Sequence, residues 1–311
     1  MKPSIRLLAF LLTIGISVLF FSCEEEGDKD LNTVKANIFY STDDRKVAFT
    51  ALAINASTYQ WDFGDGETSI EKNPVHIYEE GGTYIVTLKV EGRDTTVTKS
   101  VEISIALSPY EMLTGGTRYP DGKTWKLSSA HSEYDAICLA DANMSVVQAV
   151  PQGALDLHLG LGEEYNDEFT FKADGSYKHD TKNGGALAGL VYASSTGKEI
   201  IGITEASQSF GFCIAAFTPQ ADATFTFTEG KDLTVETVSP DGKETSEVTY
   251  NNVSTLSFSG NEFIGLMDFM QECIVQEITP NKMRLAMFMS GTTGNYYNKP
   301  SYITIFTFTN V

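Results

Sequence analysis

The sequence predicts an all-β protein in two domains, on three observations. Apolar and polar residues alternate over residues 83–90, 223–228 and 233–238, the period of two that a strand with one buried face requires. Turn chemistry punctuates these runs at short intervals: Asp65-Gly66, Asn73-Pro74, Pro120-Asp121-Gly122, Asp174-Gly175 and Ser239-Pro240-Asp241-Gly242. The chain of 311 residues, 42% apolar and 11% aromatic, is long enough to fill two cores of ordinary size.

Residues 1–22 read as a targeting segment. Lys2 and Arg6 give a basic start, and Ser22-Cys23 closes the apolar run 7–21. That run falls short of the roughly 20 residues a membrane-spanning helix needs. A small residue before a cysteine at this point resembles a bacterial lipoprotein signal, which implies Cys23 as the lipidated first mature residue. The alternative is an ordinary signal peptide with an incidental cysteine. Residues 23–31, with Glu24, Glu25, Glu26, Asp28 and Asp30, form an acidic tether kept extended by like-charge repulsion. An acidic cluster directly after the cysteine is similar to the export signal of Bacteroidetes lipoproteins, and the resemblance implies the outer face of the outer membrane.

Residues 32–105 form the first domain. Tyr59 and Trp61 alternate with Gln60 and Asp62, and Asp62-Phe63-Gly64-Asp65-Gly66 supplies a sharp exit from that strand. With Asn73-Pro74-Val75-His76-Ile77-Tyr78 and the following Gly82-Thr83-Tyr84-Ile85-Val86-Thr87-Leu88, these residues resemble the PKD domain, an immunoglobulin-like β-sandwich. The resemblance implies a spacer or interaction module without catalysis, and gives His76 a structural role. Residues 106–116, with Pro109 and Gly115-Gly116 around a short apolar piece, read as a linker.

Residues 117–311 read as one larger domain of eight to ten strands. Strands are expected at 124–127, at 168–172 and 176–179 as a hairpin on Asp174-Gly175, then at 223–228, 233–238, 245–250, 254–258, 273–278, 283–289 and 302–308. Residues 186–192 and 199–216 are apolar runs without a clear period, with room for a short helix. The expected fold is thus an N-terminal PKD, immunoglobulin-like sandwich followed by a larger antiparallel β-sandwich, jelly-roll-like, or a barrel. Lys123-Thr124-Trp125, together with the run from Asp167-Glu168-Phe169-Thr170-Phe171 to Asp174-Gly175-Ser176-Tyr177, is similar to surface glycan-binding proteins of Bacteroidetes polysaccharide utilisation systems. That resemblance implies polysaccharide as ligand and a TonB-dependent SusC/SusD-like transporter complex as partner.

Sugar recognition needs flat aromatic faces and a few orienting polar groups. The candidates are Tyr296 and Tyr297 in the polar loop 291–300, where two adjacent rings cannot both point inward, and Tyr134, His131 and Asp135 after the first strand. Tyr165 and His158 before the hairpin complete the set with Trp125, which as a strand residue reads as core as readily as ligand platform. Each matters only if the loops gather at one end of the sheet. Glu163-Glu164 and Asp167-Glu168 read as surface and turn acids, with Ca²⁺ ligation as the alternative; no other cofactor is expected. Four scattered histidines and the absence of H-E-x-x-H and G-x-S-x-G argue against catalysis. The formal charge of −19 argues against nucleic acid and anionic membrane surfaces as partners. Cys138, Cys213 and Cys273 leave their pairing open: all reduced, or one bridge such as Cys138–Cys213.

These observations point to a surface lipoprotein that captures polysaccharide without cleaving it. The alternatives are a structural or adhesive lipoprotein that binds protein, and a glycoside hydrolase.

Overall fold

The computed structural model describes residues 33–311. The signal segment, Cys23 and the acidic tether lie outside the described residues. Among the described residues no helix is long and apolar enough to cross a membrane.

The first domain is a two-sheet sandwich. One sheet has the order β1 (Lys35–Asp43), β2 (Lys46–Ile54), β5 (Val75–Ile77). The other has the order β4 (Thr68–Ser69), β3 (Thr58–Asp62), β6 (Gly82–Glu91), β7 (Thr96–Ile105), and all pairings are antiparallel. The alternation in β6 puts Tyr84, Val86, Leu88 and Val90 inside against Val47, Phe49 and Trp61. The Asp-Gly exit works as its chemistry predicts. Asp62 Oδ1 accepts from Gly64 N at 2.9 Å and Asp65 Oδ1 from Glu67 N at 3.0 Å, while Gly64 at φ +82 lies so close to Ile85 that a Cβ would meet its carbonyl oxygen at 2.7 Å. His76 stacks on Phe63 and its Nε2 bonds Asp65 Oδ2 at 2.6 Å, a structural role as expected.

Residues 106–116, which read as a linker, are an ordered junction. Ser108 caps α1 (Pro109–Thr114) with a full capping box to Glu111. Glu111 also accepts from Gly81 N at 2.9 Å and from Arg45 at 2.7 Å, tying the helix to the first domain. Burial works against the ionised form, but these donors outweigh it and hold the Glu111 carboxyl below its usual range. On the other side Trp125 Nε1 donates to Leu113 O at 2.9 Å and Lys123 Nζ to Met112 O at 2.7 Å. Burial pushes the Lys123 amine down to about 8. Sequence reasoning misses the helix because six residues between a proline and two glycines look like a break; the cap that makes it a helix is Glu111, three residues after Ser108.

The second domain is built on a ten-stranded sheet. Its main path runs β12 (Tyr177–Asp180), β11 (Glu168–Phe171), β8 (Lys123–Leu127), β20 (Tyr302–Asn310), β19 (Lys282–Met289), β18 (Cys273–Ile278), β17 (Thr245–Phe258), β16 (Phe225–Val238). The two ends of this path meet. Ser176 bridges Thr224, Tyr177 N donates to Ala223 O at 2.8 Å and Phe225 N to Gly175 O at 3.0 Å. The sheet therefore curls into a closed, barrel-like form, and all eight strands send side chains into one core that includes Trp125, Phe171, Tyr177, Phe225, Leu256, Cys273, Leu285 and Phe308.

The remaining two strands, β9 (Ala136–Leu139) and β10 (Val146–Ala149), have no counterpart among the expected strands. β9 pairs with the first half of β20 and β8 with its end, so Thr307 stands between them without a strand partner on that edge. The expected strands 223–228 and 233–238 are one strand, β16, and 245–250 and 254–258 are one strand, β17. Bulges between Thr228 and Leu233 turn the far half of this hairpin over the outer face of the sheet. There Leu233, Val235 and Tyr250 pack with Cys138, Ile274, Phe288 and Ile303 as a second core.

The ambiguous runs resolve into a small sheet, β13 (Gly185–Gly189), β15 (Phe212–Ala216), β14 (Ile200–Gly202), with α2 (Leu190–Thr196) and α3 (Glu205–Ser209). All three cysteines are buried and free. Cys273, Cys138 and Cys213 sit in three different core clusters, and the Cys138–Cys213 bridge offered as an alternative is not formed.

Candidate functional site

The predicted residues do not form one site. Trp125 is fully buried, with Lys123 Nζ 4.6 Å from its ring centroid, and is part of the core rather than a platform for a ligand. Strand position decides this: Trp125 alternates inward with Lys123 and Leu127.

His131 and Tyr165 do come together, but inside the protein. His131 Nε2 and Tyr165 Oη lie 2.8 Å apart, and His131 Nδ1 is 2.8 Å from Asp135 Oδ2. Asp135 substitutes for the missing strand beside β20, accepting from Thr307 N at 2.8 Å and Thr307 Oγ1 at 2.6 Å, while Ser132 Oγ donates to it at 2.6 Å. Burial alone would raise its pKa, but these bonds outweigh it and hold the carboxyl below the usual carboxylate range. This network is a structural patch for an unpaired stretch of sheet. Tyr134 is exposed and sits apart, over the Arg284 guanidinium, 4.8 Å from ring centroid to Cζ.

Glu164 and Asp167, expected as surface acids, are buried. Asp167 and Glu262 flank His179, whose ring is caged by Phe169, Phe217 and Phe263. His179 Nδ1 is 3.5 Å from Glu262 Oε2 and Nε2 is 3.9 Å from Asp167 Oδ2. Burial and the adjacent Asp167 push Glu164 up to about 7. Burial would lower His179, but its two acidic neighbours outweigh it and the imidazole is raised above its usual value. Among the described residues no group of three or more His, Cys, Asp or Glu side chains is arranged to hold a metal ion.

Two surface features remain. The first is an open groove beside β10, made of two adjoining cavities of about 320 Å³ and about 430 Å³ that share Ile137, Gln148 and Phe210. His158 is exposed on the rim of the first cavity, whose floor is apolar: Leu155, Leu159, Phe212 and Phe306. The second cavity reaches Leu190 at the start of α2 and Gly291 at the start of the β19–β20 loop.

The second feature is a row of three rings at that end. Tyr297 is 40% exposed and meets Phe269 edge-on at 5.5 Å between centroids; Phe269 meets Tyr192 edge-on at 5.0 Å. Phe269 and Tyr192 are half-buried, as is Tyr296 beside them in sequence. The three rings come from three separate segments: α2, the stretch between β17 and β18, and the β19–β20 loop. Under them lies Asp268, 3% exposed. Burial pushes its carboxyl up to about 7, against the hydrogen bonds from Phe269 N and Ser290 N that favour the charged form. Sequence reasoning finds Tyr297 but misses Tyr192, Phe269 and Asp268. The available signal is that Phe269 belongs to no strand pattern yet sits between two strands.

Comparisons with known proteins bear on the first domain. Residues 40–106 match the family model of the PKD domain. A stretch of 34 residues is 62% identical to collagenase ColQ1 and 59% identical to collagenase ColA, both of Bacillus cereus. It makes up 11% of this chain, and the match spans only 4% of each collagenase's length. Among solved structures, the PKD1 domain of Vibrio anguillarum Epp is 26% identical and is covered completely by 25% of this chain, with a TM-score of 0.24. A carbohydrate-binding module of the β-sandwich superfamily covers 91% of this chain, which covers 93% of it in turn, at 14% identity and a TM-score of 0.25. A likeness that low does not establish a shared fold. The first domain is thus a PKD module, and the all-β second domain stands on its own strand pairing.

Proposed function

We propose that this protein captures polysaccharide without cleaving it, and that the ring row Tyr192–Phe269–Tyr297 is where a sugar ring stacks. The observation that supports this is the convergence of three aromatic side chains from distant segments at the surface. A pyranose binds such rings through its apolar C–H face, and the desolvated contact favours flat, rigid aromatics. The groove that ends at α2 and the β19–β20 loop offers the same polymer a continuing path. Noncatalysis is part of the proposal: Asp135, Glu164, Asp167, Glu262 and Asp268 are each at most 3% exposed and so closed to a polymer, whereas glycoside hydrolysis needs two carboxylates at the scissile bond. In this reading Cys23 carries a lipid at the outer membrane, the PKD module is a spacer, and a TonB-dependent SusC/SusD-like complex receives the glycan. Many weakly binding copies on one polymer supply avidity.

The test is affinity electrophoresis of the protein through a panel of native polysaccharides, with reducing-sugar release assayed alongside. Retardation by one glycan class, no release, and loss of retardation in Tyr297→Ala and Phe269→Ala are the expected results. Free migration through every glycan removes the reading.

One observation favours a second reading, a protein partner. The outer face of the β1–β2–β5 sheet exposes Phe39, Leu52, Ile54, Val75 and Ile77, each more than half exposed. Their register sets Val75 beside Ala48, but Leu52 beside Asn37, Phe39 beside Thr50, Ile54 beside Lys35 and Ile77 beside Lys46, so apolar and polar side chains interleave on this face. Exposed apolar side chains rimmed by polar ones suit a protein partner.

A further inference from the structure

We propose that Asp268 is the positioning residue of the ring row: one buried carboxylate joins the three segments that carry Tyr192, Phe269 and Tyr297. The inference rests on the reading of that row as a sugar platform, but it concerns how the row is built and is testable without sugar.

Asp268 Oδ1 accepts from Phe269 N at 2.7 Å, which fixes the segment bearing the middle ring. Asp268 Oδ2 accepts from Ser290 N at 3.2 Å, at the root of the loop that carries Tyr297. Gly189, the N-terminal flank of α2, is pressed against the same oxygen: a Cβ there would lie 2.1 Å from Asp268 Oδ2. Glycine at 189 is therefore required by a close approach, and that approach sets where α2, which carries Tyr192 three residues on, begins. The parallel bridge Ala188–Met267 and the bond from Gly189 N to Met267 O at 3.0 Å clamp the same two segments from the backbone side. Without Asp268 the third segment, the β19–β20 loop, loses its bond at Ser290.

The link is also sensitive to protonation. Tyr192 is the titratable group that faces Asp268, whose charge helps raise the phenol above its ordinary value, after burial. Ser290 and Gly189 present neutral groups to it. The carboxylate accepts from both backbone N–H groups, and the Ser290 hydroxyl beside it is buried without a hydrogen-bond partner. Burial opposes ionisation more strongly than the two N–H groups favour it. With the carboxyl raised from 3.8 to about 7, the buried arrangement is fully held below pH 3.8, and the loop loosens as pH rises through neutrality.

The experiment labels the protein with ring-¹³C tyrosine, whose phenol keeps its ordinary acidity, and follows its carbon spectrum from about pH 5 to 9, a range that brackets the Asp268 carboxyl, with Tyr192→Phe and Tyr297→Phe identifying the two signals. Both signals are expected to titrate together near neutrality in the wild type and to be flat in Asp268→Asn. Glycan affinity measured alongside is expected to fall about five- to tenfold as pH rises from about 6 to 8, a coupling of ordinary size, and to be pH-independent in Asp268→Asn. A Tyr297 signal that does not titrate in the wild type overturns the inference without any variant at position 268; so does a titration that persists in Asp268→Asn. If the rings titrate as expected but no glycan is retained at any pH, the positioning role stands and the capture reading falls. Retention with a flat Tyr297 signal means the reverse: capture stands and the positioning role falls.

Discussion

The PKD module and the barrel domain place their polar side chains by opposite means. In the module the groups that shape the surface are neighbours in the chain: Asp62 and Asp65 bond amides two residues on, and His76 reaches Asp65 eleven residues back. In the barrel domain Asp135 bonds Thr307 across 172 positions, His131 bonds Tyr165 across 34, and Asp268 bonds Ser290 across 22. The first arrangement can be encoded in a motif and so is recognisable wherever the motif recurs. The second exists only after the sheet has closed, and the surface it builds is free to differ between proteins that share a fold.

The largest expected effect separates the two cores. Trp61→Ala removes a fully buried side chain and the bond from its indole to Glu71 O, and should cost the module about 3–5 kcal/mol. In urea the variant should show an early transition for the module and an unchanged later one for the barrel. A single shifted transition would mean that the junction couples the two into one cooperative unit.

The barrel alone should carry a pH-dependent interior. Glu164 is raised from 4.5 to about 7, so the folded state holds its proton more tightly than the unfolded chain. Its contribution is present below pH 4.5 and is lost as pH climbs to about 7. His179, raised from 6.5, contributes below that pH and loses its contribution as pH rises further. Both run in the same direction. Stability should fall by on the order of 2 kcal/mol between about pH 5 and 8, and Glu164→Gln should flatten the early part of the slope in a series of denaturation midpoints. A midpoint independent of pH would refute this account of the cluster.

Glu111→Ala tests the junction. It removes the capping-box acid and the bonds to Gly81 and Arg45, and about 1 kcal/mol of stability should go with it. Scattering measurements should show a more extended, variable arrangement of the two domains; an unchanged profile would mean that the bonds from Lys123 to Met112 O and from the Arg118 guanidinium to Tyr84 Oη, the latter at 2.8 Å, are enough to fix it. The smallest effect is expected at Tyr297→Ala, a half-exposed loop residue. It should change stability by no more than about 0.5 kcal/mol while removing glycan retardation, and a larger loss of stability would mark the ring as a packing residue.

Legibility in the sequence follows the same division. Trp61, Gly64 and His76 can be placed from sequence because each is specified within a few residues of chain. In the barrel domain the strands with strict alternation are legible, whereas β9 and β10 are not. β10 is exposed at every position, and so has no alternation to read. Glu164 and Asp167 read as surface acids because a carboxylate is seldom buried unless paired, and their partners, Asn183 for Glu164 and His179 for Asp167, lie beyond the hairpin turn. Of the site candidates, Tyr297 is identifiable from its loop, but the rings beside it depend on α2 and the 259–272 stretch folding back, which no local pattern announces.

β20 holds β8 and β9 on one edge and β19 on the other, and it joins the last strand of the chain to the first strand of the barrel. The barrel therefore has a late deadline. A ribosome releasing this chain can let the PKD module fold as soon as β7 is out, but until Phe308 emerges Trp125 lacks part of the wall it closes against. During that interval the barrel strands lack the partner that closes them and their core side chains stay uncovered, the condition in which unfinished chains aggregate. Cleavage within β20 would return it to that state, so the integrity of a nine-residue strip governs the survival of the whole domain.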